Sequence, residues 1–70
     1  MDFYISCYKN TKKVGMFARK TIFDATTFCR DFTSVDHFVI HQDGENNYLK
    51  GIRKSNDYID WERCNLQKQL

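Results

Sequence analysis

Residues 21–32, Thr-Ile-Phe-Asp-Ala-Thr-Thr-Phe-Cys-Arg-Asp-Phe, hold the only convincing helical period in the chain. Ile22, Ala25, Phe28, Cys29 and Phe32 recur at spacings of three and four and form one apolar stripe. Thr21 and Asp24 have the spacing of a capping box. In a competing reading Asp24 is the N-cap, and Phe23 staples onto Phe28 across the first turn. Both readings start a short helix near residue 22 and run it to about residue 33.

On either side of this segment the period falls to two. Residues 3–9 alternate, with Phe3, Ile5 and Cys7 on one face and Tyr4, Ser6 and Tyr8 on the other. Asn10 to Lys13 is polar and suits a hairpin loop. Residues 14–20 alternate again, with Val14, Met16 and Ala18 opposed to Phe17 and Arg19. Residues 37–42 predict a third strand, and Asp43 to Asn46 is the clearest turn in the chain. Residues 47–54 predict a fourth strand, in which Gly51 marks a bulge or a close backbone contact.

Residues 55–70 read two ways. Tyr58, Ile59 and Trp61 favour a strand over 58–63 followed by a frayed or helical tail. Arg53-Lys54-Ser55 echoes Arg19-Lys20-Thr21, which favours a helix and a ββα unit used twice. The expected architecture is α+β: a four- or five-stranded antiparallel sheet with one central helix on one face, in the order ββαββ, then a strand or short helix. Phe3, Ile5, Cys7, Val14, Met16, Phe38 and Ile40 are the expected helix-facing residues.

Seventy residues make a single domain, 1–70, close to the lower limit for an unaided core. Six Phe, four Tyr and one Trp compensate for that size. A homodimer is the simplest way to enlarge such a core further. No apolar run is long enough to span a membrane and no leader segment is recognisable, so a cytoplasmic location is expected. Cys7, Cys29 and Cys64 are an odd set at wide spacing, a poor disulfide framework and a poor zinc site. Reduced thiols, and neither metal nor cofactor, are the expectation.

Charge is unevenly spread. Residues 1–22 carry five Lys/Arg and one Asp, residues 23–47 carry one Arg and five acids, and residues 48–70 carry five Lys/Arg and three acids. Such segregation orients a partner but is not the strongly basic signature of a nucleic-acid binder.

One helix cannot cover both faces of a sheet. The uncovered face is expected to display Tyr4, Tyr8, Phe17, Arg19, Tyr48 and Lys50, types that dominate binding surfaces. The bland reading is a second small core, with the C-terminal segment folded back over those rings. Read as a nucleic-acid interface, the same aromatics would stack on unpaired bases. Lys9, Lys12, Lys13, Lys20, Arg53 and Lys54 would then form a basic rim on the phosphates. An enzyme is the weakest reading. His37 and His41 lie four residues apart, about 13 Å along a strand, too far to share a metal ion. No nucleophile, phosphate loop or cofactor fingerprint is present, and His41 with Arg53 and a turn acid would make at best a small ribonuclease-like or toxin-type site. The expected function is therefore that of a non-enzymatic interaction protein, of the style of a phage or mobile-element product, that binds a larger protein and inhibits or modulates it.

Overall fold

The computed structural model describes residues 2–66. Five strands, β1 (Phe3–Lys9), β2 (Lys12–Arg19), β3 (His37–His41), β4 (Asn47–Ser55) and β5 (Tyr58–Asn65), and one helix, α1 (Ile22–Asp31), follow in the order ββαβββ. The strands form one antiparallel sheet in the spatial order β2-β1-β3-β4-β5. The strand reading of the C-terminal segment holds as far as Asn65: among the described residues β5, not a second helix, follows the second hairpin, so the ββα unit is not repeated there. The expected tail lies beyond Leu66, outside the described residues.

Topology decides which face the helix covers. β2 and β3 flank β1, so the chain leaving β2 must cross over β1 to begin β3. The helix is that crossover. Thr21 is the N-cap, and its Oγ1 accepts the Asp24 N–H at 3.0 Å, as the capping-box spacing requires. The apolar stripe then points down: Ala25 and Cys29 are fully buried against Ile5, Cys7, Phe38 and Ile40. Phe32 is the C-cap rather than a helical residue.

β4 and β5 lie outside the crossover, and a different device closes the sheet there. Across the helix-facing side, Cys7 pairs with Phe38, Phe38 with Gly51, and Gly51 with Trp61. A Cβ at Gly51 would sit 2.5 Å from Cζ3 of Trp61. The missing side chain lets the indole lie across β4 to within 6.4 Å of the Phe38 ring. The close-contact reading of Gly51 is thus correct.

The β1–β2 hairpin departs from expectation, with consequences for the surface. Its turn is two residues long, not four: Asn10 (φ 52°) and Thr11 (φ 67°) both occupy the left-handed region, as a type I′ turn demands. Lys12 and Lys13 therefore belong to β2. A bulge follows, because Tyr8 pairs with Lys13 while Cys7 pairs with Gly15, leaving Val14 as the extra residue. The register beyond it sets Ile5 against Phe17 and Ser6 against Met16. Phe17 consequently shares the helix-facing side with Ile5, and Met16 does not. Val14 and Met16, expected in the core, are 52% and 50% exposed.

Two substitutions test these backbone features by denaturant unfolding. Gly51→Ala should lose about 1–3 kcal/mol, because the Trp61 ring is wedged against Phe38 and cannot withdraw freely. Thr11→Gly should gain about 1 kcal/mol by relieving a β-branched residue held at positive φ. Neutral results at both positions would contradict the register.

Candidate functional site

The sheet face opposite the helix is built from the alternate residues of all five strands. The printed pairs group them into rows. One row runs Met16, Ser6, Val39, Lys50, Glu62. The row at one side of it holds Ala18, Tyr4 and His41, with Tyr48 and Cys64 paired on the far strands. The row at the other side holds Lys13, Tyr8, His37, Ile52 and Asp60. No described helix or strand packs over this face. Tyr58 and Trp61 do not fold back onto it, because both belong to the fifth strand and Trp61 points to the helix side.

The face is a mutually supported surface rather than a set of loose side chains. Tyr4, Tyr8, Val39, His37, His41, Tyr48 and Ile52 are all half-buried by their neighbours. Tyr4 and His41 lie 5.8 Å apart between ring centroids at a 33° tilt. Ser6, beneath them in the centre, is buried although it points away from the helix. His37 also faces Asp36, Nδ1 to Oδ1 3.5 Å. Charge is mixed across the face, with Lys13 and Lys50 towards β2 and the centre and Asp60 and Glu62 on β5.

Of the six residues expected here, Tyr4, Tyr8, Tyr48 and Lys50 share the open face. Phe17 and Arg19 do not. Phe17 packs at 4.8 Å from Phe28 and 6.0 Å from Phe32, and the Arg19 guanidinium lies 4.5 Å above the Phe28 ring. The reason is the bulge: residues 14–18 are apolar on both faces, so alternation alone does not decide which set faces the helix.

The expected basic rim is not one surface. Lys9 and Lys12 pair at the hairpin end of β1–β2, while Lys20 lies beyond the opposite end of β2 and ion-pairs with Asp2 at 3.0 Å. Lys13 alone of the six joins the open face through its pairing with Tyr8. Lys54 sits at a second register shift between Arg53 and Ser55. Arg53 points to the helix side. Its Nε donates to Val35 O, its Nη1 to Ser55 O and Asn56 O, and its Nη2 to Cys29 O, Arg30 O and Phe32 O. A guanidinium so engaged has no donors left for a phosphate.

Val39 and Ile52 were not among the expected residues; the alternation of His37-Val39-His41 and of Tyr48-Lys50-Ile52 is the signal that could have found them. The acids of β5 joined them only once that segment proved to be a strand.

Among the described residues no group of three or more His, Cys, Asp or Glu side chains gathers closely enough to hold a metal ion. The three thiols are unpaired. Burial pushes the Cys7 thiol up; burial first, and then the neighbouring Cys7, push Cys29 up to about 12 against an opposing pull from Arg53. On the helix side a shallow groove of ≈ 310 Å³, walled by Phe3, Ile22, Ile40 and Leu49, is bordered by Arg63 and Glu45. No described helix is long and apolar enough to cross a membrane. No protein family matches the chain, nor does any curated protein or solved structure.

The two sides should respond differently to truncation. Phe17→Ala should lose about 2 kcal/mol of stability, because its ring closes the Phe28–Phe32 cluster. Tyr8→Ala should lose less than about 1 kcal/mol. The reverse order in thermal or denaturant unfolding would return Phe17 to the open face.

Proposed function

We propose that this chain is a non-enzymatic docking protein that binds a larger protein through the open sheet face and thereby inhibits or modulates it. The observation that carries this reading is the bare face itself, where Tyr4, Tyr8 and Tyr48 stand in the rows on either side of Val39, with Ile52 in the row of Tyr8 and Met16 on the edge strand. Tyrosines around an apolar patch, with charge of both signs at the margins, match the composition of protein-docking surfaces. The preformed sheet loses little conformational freedom on binding. We place its action in the cytoplasm, where the three free thiols would persist. A phage or mobile-element product meeting a host protein is the setting that suits it.

Nucleic-acid binding is the less favoured use of the same face. Tyr4, Tyr8 and the two histidines could stack on bases. Yet Arg53 is spent on backbone carbonyls, Arg19 lies on the helix side and not on this face, and Asp60 and Glu62 would oppose a phosphate backbone.

The test is capture from a nuclease-treated lysate by tagged wild type, Tyr8→Ala, Val39→Asp and, as a helix-side control, Phe23→Ala. One defined protein should be retained by wild type and the control. The Tyr8→Ala variant should bind it about 30-fold more weakly, the equivalent of about 2 kcal/mol for a central anchor. Capture indifferent to the open-face variants would overturn the proposal. So would recovery of nucleic acid alone, with affinity falling steeply as salt rises.

A further inference from the structure

We propose that the free edge of β2 is a strand-addition site for an extended segment of a partner protein, one whose apolar middle is bounded on each side by acidic residues. The site is a sheet edge that borders the open face and shares Lys13 and Met16 with it, but it does not depend on the docking function assigned to that face.

The sheet has two outer strands, and their edges are unlike. β2 pairs only with β1, and β5 only with β4. Along β5, Asp60, Glu62 and Arg63 put charge in the middle of the strand, the usual means by which an edge discourages pairing. Between Lys13 and Arg19, β2 has none: Val14-Gly15-Met16-Phe17-Ala18 is uncharged. Val14 and Met16 are half-exposed, as is Phe17 at 38%. The bulge at Val14 disturbs one end only, and Gly15 to Arg19 stay in unbroken register with Cys7 to Phe3. Ala18 O already accepts from Arg19 Nη1 at 2.6 Å; the other outward N–H and C=O groups, beside exposed apolar side chains, are a template for another strand.

Charge selects the occupant. Lys12 and Lys13 stand at one end of the apolar run, with Lys9 across the hairpin, and Arg19 and Lys20 stand at the other. Asp2 offsets Lys20 only. Lys13 and Arg19 are six residues apart, about 20 Å in an extended strand. An incoming segment that matches both ends carries acids about six residues apart around an apolar middle. A second copy of β2 is disfavoured: antiparallel self-pairing would set Lys12 and Lys13 against Arg19 and Lys20, like charge on like. The β5 strand of a second copy has acids, but each copy so added would expose its own β2, and the assembly would grow without closing.

The experiment titrates the isotopically labelled full chain with three synthetic peptides. They share a β-prone apolar middle and differ in flanks: acidic at both ends, lysine at both ends, or acidic with alternate backbone amides N-methylated. The acidic peptide should shift the amide signals of residues 14–18 and bind about tenfold or more tighter than the lysine peptide at low salt. That difference should collapse near 1 M salt, where screening is short-ranged. The N-methylated peptide should not bind, because its ladder donors are gone. Tyr48→Ala, which alters the open face, should leave acidic-peptide binding unchanged, so failure of one site shows apart from failure of the other. Equal binding of acidic and lysine peptides, retained binding after N-methylation, shifts confined to the open face, or no binding would each overturn the proposal. Open-ended growth of the unliganded chain in sedimentation would do so too, by assigning the edge to β5 of a second copy.

Discussion

The structure depends on one guanidinium. Arg53 projects from β4 under the end of α1 and meets carbonyl oxygens from three separate segments. Cys29, Arg30 and Phe32 supply those of the helix end, Val35 that of the α1–β3 connection, and Ser55 and Asn56 those of the β4–β5 turn. The last carbonyls of a helix have no intrahelical partner and carry the negative end of its dipole, so a fixed cation there satisfies both needs. The ring of Phe38 lies 5.9 Å away, and the backbone adds Arg53 N–H to Asp36 O at 2.8 Å. A ten-residue helix contributes little stability of its own. Here its far end is tied to the half of the sheet that the crossover does not reach.

Closure of one side leaves the other exposed. Ala25 and Cys29 fill the space above β1, while Trp61, lying over Gly51, fills the space above β4. The helix and the Trp61 indole are thus both drawn to one face. The opposite face keeps its tyrosines and histidines in rows, with no described helix or strand packed on them.

Much of this was readable in the residues. Thr21 and Asp24 announced the helix start, the apolar stripe announced its buried side, and Gly51 announced the close approach that Trp61 supplies. Alternation in β1, β3 and β4 assigned Tyr4, Tyr8, Tyr48 and Lys50 to a common face. Two features escaped for physical reasons. The phase of β2 is set by a bulge and by a two-residue turn that places Thr11 in an unfavourable conformation, and residues 14–18 are apolar on both sides. Arg53 looked like one more cation at a strand end, because its carbonyl partners come from residues 18 to 24 positions earlier as well as from the adjoining turn. Nothing local to Arg53 distinguishes it from its exposed neighbour Lys54.

Hydrogen–deuterium exchange on wild type and Arg53→Lys tests the central claim most directly. Lysine keeps the charge but has three donors on one atom, so it cannot span three segments. The account predicts a fall in global stability of about 3 kcal/mol, which sets the loss of protection in β1 and β3, and a clearly larger loss in residues 29–36 and 55–57. Unchanged protection at the helix end, or a uniform loss across the sheet, would contradict the claim that this one side chain holds the helix to its face.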